Sequence, residues 1–255
     1  MRIRLLVYAL AISPGLVLLS SACNPTSPRV ELKVASAGSL AEVFQTLAER
    51  FEDENAVHVI PSFAATGQLT QQIRNGAPYD IFAAADPSHV DALIGEGYLD
   101  ADTRTVYAQG ELVIIRPVGS TLNIDSLSRL ASNDLDRIAI ANPDHAPYGI
   151  AAKDALRAAG IWPEVESKII YGETVKQAAV IVATGNADAG IIARSVVDPE
   201  VEVVFEIPPE RHSSILHVAA RVSSTANKEV ALAFLEFMLS TDGQAILQSF
   251  GFSHP

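Results

Sequence analysis

Short apolar runs alternate with amphipathic segments along most of the chain. The apolar runs are rich in valine, isoleucine and alanine, which favours strands that are covered on both faces of a parallel sheet. They predict strands at Leu32–Ser36, Val57–Pro61, Ile81–Ala84, Leu112–Arg116, Ile138–Ala141, Lys168–Tyr171, Ala189–Ile192, Val201–Phe205 and Ile215–Val222. The amphipathic segments predict helices at Leu40–Phe51, Gln68–Asn75, Pro87–Gly95, Ile150–Ala159, Lys176–Ala183, Lys228–Leu239 and Gly243–Phe250. This alternation is typical of an α/β fold.

Four of the predicted strands end in the same way, with small or hydroxyl-bearing residues directly before a helix. These segments are Ala35–Ser39, Ser62–Gly67, His145–Gly149 and Gly172–Val175. A helix N-terminus leaves about four backbone N–H groups without intrahelical partners and carries the positive end of the helix dipole. Two such starts in each half of the chain predict an oxyanion held between two lobes, with no need for a basic side chain.

Hydroxyl groups and glycines are the candidate binding groups in the first half. Ser39 and Thr66 can donate a proton to an anion, although a lone serine or threonine before a helix more often serves as its N-cap. Gly38 and Gly67 stand next to them, and glycine allows the backbone to approach a ligand closely.

The second half offers backbone donors. Tyr148 follows Pro147 at a helix start and can present its N–H to a ligand, with its hydroxyl as a second candidate donor. Val175 likewise stands at the helix start in the last of the four segments and can present its backbone N–H. Asp86, before Pro87, is expected to be an N-cap, with lining of the cleft as the alternative.

Composition narrows the classes of partner. The chain has 255 residues, 49% hydrophobic and 19% charged, enough for one large or two medium domains with a sizeable core. Its net charge of -12 argues against nucleic acid and anionic membrane surfaces, and it means that anion binding must come from local dipoles and hydrogen bonds. No nucleophile elbow, zinc-protease motif or phosphate loop is present, so neither an enzyme nor a cofactor is predicted.

The N-terminal segment predicts export. Arg2 and Arg4 precede an apolar run from Leu5 to Leu19, and small residues then lead to Cys23, the single cysteine. This pattern predicts a signal peptide over residues 1–22 and resembles a bacterial lipobox, in which the cysteine is acylated. Ser20 stands where a lipobox usually has leucine, so ordinary cleavage remains the alternative. Residues 23–30 would form a lipid-anchored tether in the periplasm or on the outer face of the membrane.

In order and spacing, a set of landmarks resembles the family of periplasmic molybdate-binding proteins of ABC transporters. The landmarks are Ala37–Leu40, Ser62–Gly67, Gly76–Phe82, Ala85–Asp86, Asn142–Gly149, Gly172–Val175 and Phe250–Phe252. The resemblance extends from Leu32 to Phe252, nearly the whole mature chain.

The resemblance implies a two-lobed solute-binding fold of type II, in which each lobe is a mostly parallel sheet flanked by helices and the ligand lies in the cleft. Strands that cross between the lobes place residues 31–112 and 216–255 in lobe 1 and residues 113–215 in lobe 2. The ligand implied is molybdate or tungstate, bound by Gly38, Ser39, Thr66, Tyr148 and Val175. The implied partner is an ABC-transporter permease, with the chain acting as a monomer and touching the membrane only through its lipid anchor.

One departure leaves the ligand open to alternatives. Some members of the family have a binding tyrosine where this chain has Ala193, so either Tyr148 supplies that donor or the site makes one bond fewer. The alternatives are another oxyanion such as sulfate, a small carboxylate, or ferric iron. Iron would require a tyrosine pair, for which only Tyr148 and Tyr171 are near, and Tyr171 is expected to be buried. An enzyme on the same scaffold and a surface lipoprotein with a vestigial cleft are the remaining readings.

Overall fold

The computed structural model describes residues 29–254, so the predicted signal peptide and Cys23 lie outside the described residues. The first elements are β1 (Val30–Ala37), α1 (Val43–Glu54), β2 (Val57–Ala64), α2 (Thr66–Arg74), β3 (Ile81–Ala84), α3 (Pro87–Gly95) and β4 (Thr105–Gln109). Next come β5 (Leu112–Pro117), β6 (Ile138–Ala141), α4 (Pro147–Ala158), α5 (Trp162–Val165), β7 (Ile169–Gly172), α6 (Val175–Ala183), β8 (Ala189–Ala193) and β9 (Val201–Glu206). The chain ends with β10 (Leu216–Arg221), α7 (Lys228–Leu239) and α8 (Thr241–Ser249). Because Val30 already belongs to β1, the predicted tether of residues 23–30 extends one residue too far.

The strands form two sheets of five, which confirms the predicted α/β fold. The strand order is β2-β1-β3-β10-β4 in the first sheet and β7-β6-β8-β5-β9 in the second. The pairing is mixed, because each sheet has two parallel and two antiparallel ladders, so the expectation of mostly parallel sheets needs correction. The antiparallel ladders all involve β5 or β10. The chain enters the second sheet through β5 and returns to the first sheet through β10.

The chain crosses between the sheets twice. It leaves the first sheet after Gln109 and enters the second at Leu112, and it returns between Glu206 and Leu216. We call the elements around the first sheet the first lobe and those around the second sheet the second lobe. The division at residues 112/113 and 215/216 stays a prediction.

Two elements were not predicted from the sequence. β4 mixes polar and apolar residues, so it lacks the continuous apolar pattern of its neighbours, although Tyr107 and Ala108 are buried. The single-turn helix α5 is too short to show a period. Both lie away from the four segments that suggested a binding site.

The last two helices pack on the first lobe, as the sequence suggests. The Phe234 ring of α7 meets Phe44 and Phe51 of α1, with centroids 5.9 and 5.1 Å apart. Such aromatic pairs contribute about 0.5–1.5 kcal/mol beyond the area that they bury. Within residues 29–254 no single helix is long and apolar enough to cross a membrane; α7 and α8 reach that length only as a pair, across a bend of 63°.

Candidate functional site

A small cavity lies between the lobes, at the carboxyl ends of β1, β2, β6 and β7, where ligands of open α/β sheets usually bind. Its volume is about 10 Å³, room for about one water molecule and far below the roughly 300–1,000 Å³ of sites for drug-sized molecules. No lining residue in the described part of the chain is a lysine, arginine, histidine or carboxylate. The lining consists of Ala37, Gly38, Ser39, Ala65, Thr66, Ala85, Ala146, Pro147, Tyr148, Thr174 and Val175. The structure therefore brings all five predicted binding residues together.

Ser39 reaches the cavity from a tight turn and not from an α-helix. Gly38–Leu40 form one turn of 3-10 helix, and α1 begins only at Val43, with Glu42 before it. The prediction of a helix that starts at Leu40 is therefore wrong, since glycine and serine favour turns over helix interiors. Ser39 is 1% exposed and its side chain caps no helix. Ser39 therefore does not serve as an N-cap, which is the role that the sequence favoured for it.

Thr66 is the first residue of α2, where the sequence suggested an N-cap. Its Oγ1 accepts a hydrogen bond from the Ala85 N–H at 3.2 Å, and its carbonyl accepts one from Thr70 Oγ1 at 2.9 Å. The N-cap position of α2 is Ala65, whose side chain has no capping atom. Thr66 Oγ1 is therefore held by the residue that follows β3, while its own proton stays free for a donor role in the cavity.

The second lobe presents backbone donors. Pro147 is the first residue of α4 and Tyr148 the second, so the Tyr148 N–H has no carbonyl four residues back within the helix. Val175 is the first residue of α6, and its N–H is free for the same reason. The cap of α6 is Thr174, whose Oγ1 accepts from the Gln177 N–H at 3.1 Å and leaves the first N–H groups to the cavity.

Ala193 is buried and does not line the cavity, so no hydroxyl enters from that position. Ser195, two residues further on, instead donates its hydroxyl to the Ser39 carbonyl at 2.8 Å and so ties the lobes together. The Tyr148 hydroxyl faces Ser39 and Ser195 without a hydrogen bond of ordinary geometry to either. Burial raises the pKa of Tyr148 well above its usual value, so the phenol keeps its proton.

The lobes touch around the cavity, and the two glycines lie at this contact. The Gly67 N–H donates to the His145 carbonyl at 3.0 Å, and Gln68 Nε2 donates to Glu173 Oε2 at 3.0 Å. A Cβ at Gly67 would lie 3.0 Å from the His145 Cβ, and one at Gly38 would lie 3.0 Å from the Thr174 Cβ. The glycines thus permit the lobes to approach each other.

Sequence reasoning missed His217, which lies behind Ser39 on β10. It is fully buried, and its Nε2 is 2.9 Å from Ser39 Oγ. Burial lowers the pKa of His217 to about 3, although the Ile215 carbonyl and the Asp86 carboxylate act in the opposite direction. The only sequence signal was a histidine inside an apolar strand, which by itself more often indicates a core residue.

Ser39 and His217 are the residue types of a nucleophile and its general base, but the pKa of His217 does not suit a base. A general base works best with a pKa near the working pH, and that of His217 is several units lower. In the described chain no carboxylate bonds to the other ring nitrogen, Nδ1, as an orienting group would. The arrangement therefore favours binding over acyl transfer.

Asp86 and Tyr171 take no part in the cavity. Asp86 is the N-cap of α3, as expected, since its Oδ1 accepts from the His89 N–H at 3.0 Å. Burial raises its pKa, but hydrogen bonds from His89 and Ser88 outweigh that effect and hold the pKa below its usual value. Tyr171 is 46% exposed, contrary to the expectation that it is buried. The residues described around the cavity thus lack the tyrosine pair and carboxylates that ferric iron would require.

Comparison with known proteins places these features in context. The model of the bacterial extracellular solute-binding protein family matches residues 32–253. The molybdate-binding protein ModA of Escherichia coli K12 is 31% identical over 90% of this chain and 91% of that protein. ModA of Rhodobacter capsulatus is 29% identical over 96% and 94%. The solved structure of the periplasmic molybdate-binding protein of Azotobacter vinelandii has a TM-score of 0.82 at 29% identity, over 88% of this chain and 99% of that one. The resemblance seen in the sequence is confirmed.

Proposed function

This chain belongs to the family of bacterial extracellular solute-binding proteins, and we propose that it captures molybdate or tungstate and delivers it to the permease of an ABC transporter. The observation that carries the proposal is the composition of the interlobe cavity. Hydrogen-bond donors and helix N-termini surround it, and the described lining contains no charged side chain. The names of the relatives support the choice of molybdate.

The donors available suit a small dianion. They are the hydroxyls of Ser39 and Thr66 and the backbone N–H groups of Tyr148 and Val175, with Gly38 allowing close contact beside Ser39. Burying an unpaired charge is very costly, so each ligand oxygen needs a donor. Hydrogen bonds to a charged partner contribute about 1.5–3 kcal/mol each, and the positive ends of α2, α4 and α6 add to them.

The same donor set predicts selectivity. A fully deprotonated oxyanion only accepts hydrogen bonds, whereas hydrogen phosphate carries a proton that would need an acceptor. Discrimination against sulfate, the main alternative, would rest on cavity size, because Mo–O bonds are longer than S–O bonds. Closure of the lobes around the ion would then present a form that the permease can distinguish from the open one.

We also propose that the protein is exported and held at the membrane by a lipid on Cys23. The proposal rests on the sequence pattern of residues 1–23. Metabolic labelling with a radioactive fatty acid would label the native chain but not the Cys23→Ser variant. A native chain that remains unlabelled and is released in soluble form would show ordinary cleavage instead.

Isothermal titration of the purified protein with molybdate, tungstate, sulfate and phosphate tests the ligand. We expect tight one-to-one binding of the first two ions and little heat from the others. Ser39→Ala and Thr66→Ala should each weaken molybdate binding by about 10- to 150-fold, the equivalent of one hydrogen bond to a charge. Ser249→Ala is a matched control, since that hydroxyl bonds within α8 on the surface. No heat from molybdate or tungstate would contradict the proposal.

A further inference from the structure

His217 is packed among aromatic rings behind the cavity. Its ring is enclosed by Tyr107, Tyr148 and Phe252, with ring centroids at 6.1, 6.0 and 5.0 Å. It is absent from the cavity lining but reaches Ser39 Oγ at 2.9 Å through Nε2. Any effect of His217 on a ligand must therefore pass through the Ser39 hydroxyl.

A hydroxyl has one proton, so the Ser39–His217 hydrogen bond has two possible directions. If Ser39 donates to an unprotonated Nε2, its proton is used, and only oxygen lone pairs face the cavity. If Nε2 carries the proton and donates to Ser39 Oγ, the Ser39 proton is free to point into the cavity. An oxyanion without protons can accept only in the second arrangement.

We propose that His217 is a positioning residue that donates its Nε2–H to Ser39 Oγ and so directs the Ser39 proton toward the bound oxyanion. The inference rests on the proposed function, since it names how one donor of that site is oriented. It adds a residue that neither touches the ligand nor lines the cavity.

The environment of the ring leaves the direction of this hydrogen bond to the ligand. Nδ1 of His217 is buried without a hydrogen-bond partner, so nothing holds the proton of the neutral ring on Nδ1, and Nε2 can carry it. With a dianion in the cavity, an Nε2 without a proton would leave Ser39 with no proton for the ligand. The loaded site therefore selects the form in which Nε2 is protonated.

Nitrogen-15 NMR of the histidine-labelled protein reads this proton directly. In the molybdate complex we expect the Nε2 resonance of His217 at the position of a protonated ring nitrogen, with a coupled proton. The assignment comes from the signal that His217→Gln removes. An unprotonated Nε2 in the saturated complex would overturn the inference, whatever the ligand-free protein shows.

A double-mutant cycle separates positioning from general support of the fold. His217→Leu should weaken molybdate binding by about three- to tenfold in the native chain and have no further effect when Ser39 is already alanine. His217→Gln, which keeps a donor near the Nε2 position, should recover part of the lost affinity. Val218→Ala, buried on the opposite face of β10, controls for lost packing and should change stability but not affinity.

The outcomes distinguish this inference from the proposed function. Suppose that the native protein binds molybdate but His217→Leu weakens binding equally in the native chain and in Ser39→Ala. That result would refute the positioning role and leave the proposed function standing. Native protein that binds neither molybdate nor tungstate would overturn both.

Discussion

Thr66 shows how a buried hydroxyl can be kept ready for an anion. Its oxygen accepts a hydrogen bond from the Ala85 N–H at 3.2 Å, so its position is set by the end of β3 and its proton points elsewhere. Ser39 is held in the same way from behind, by His217 at 2.9 Å and by Ser195 on its carbonyl. Each binding hydroxyl thus has a fixed neighbour in the protein, which reduces the entropy lost when the ligand binds.

The buried His217 predicts a pH dependence of stability. An unfolded histidine has a pKa of about 6.5, while burial lowers that of His217 to about 3. Between these values the unfolded chain binds more protons than the native one, so the free energy of unfolding falls as the pH is lowered through this window. The other titratable groups near the ring are Tyr107, Tyr148 and Asp86, and the two phenols stay neutral here.

The measurement is urea denaturation of the native chain and of His217→Gln from about pH 7 to about pH 4, where the predicted difference builds to a few kcal/mol. The native chain should lose more stability than the variant, since the acidic residues titrate in both. Parallel curves for the two proteins would show that His217 has no lowered pKa.

Gly67 lies where the lobes touch, so a methyl group added there should weaken ligand binding. A Cβ there would lie 3.0 Å from the His145 Cβ and 3.2 Å from its carbonyl oxygen, so Gly67→Ala should hinder closure. Overpacking of this kind costs about 1–3 kcal/mol, and we expect molybdate affinity to fall by about 5- to 150-fold. Gly95→Ala, which meets nothing within 4 Å, is the control for calorimetric titration. Equal affinities of the two variants would show that the lobes do not close at Gly67.

At the scale of elements, the sequence located the binding segments better than it described them. The starts of α2, α4 and α6 were anticipated to within three residues because hydroxyl residues, prolines and glycines mark them locally. The turn at Gly38–Leu40 was mistaken for a helix start, since glycine and serine favour a turn there and α1 begins only at Val43. His217 and Ser195 could not be found, because only the crossing of the chain brings residues 178 and 156 positions away to Ser39.

The start of α6 allows one backbone donor to be removed without breaking the helix. Val175 is the first residue of α6 and Thr174 before it is extended, with φ -129 and ψ 165, a conformation compatible with a following proline. Val175→Pro should therefore keep the fold while deleting an N–H from the cavity. We expect molybdate affinity to fall by about 10- to 150-fold with little change in melting temperature.

The matched control is Thr241→Pro, at the first position of α8, far from the cavity and also preceded by an extended residue. It should leave affinity unchanged. If Val175→Pro binds molybdate as tightly as the native chain, then the α6 start is not a donor.

At the scale of the whole molecule, the ligand must approach a protein of its own sign. The net charge is -12, and the described cavity lining holds no cation to offset it. The attractive field is confined to helix ends and short hydrogen bonds inside the closed cleft, whereas the repulsion acts at long range. Binding therefore depends on closure, which brings the donors of both lobes to one ion.

This balance predicts an unusual dependence on salt. Ions screen long-range repulsion but leave buried hydrogen bonds nearly unchanged, so the association rate for molybdate should rise as ionic strength increases from about 10 to about 150 mM. Stopped-flow measurements in two different salts separate screening from competition by the added anion. A steep loss of rate with salt would indicate a basic site and contradict the uncharged cavity.

The central claim is that one oxyanion lies between the lobes, held by uncharged donors. Anomalous diffraction at the molybdenum edge from crystals grown with molybdate tests it most directly. The account predicts a single strong peak in the interlobe cavity, with ligand oxygens within hydrogen-bond distance of Ser39 Oγ, Thr66 Oγ1 and the N–H groups of Tyr148 and Val175. A peak at any other place, or a saturated crystal without one, would contradict it.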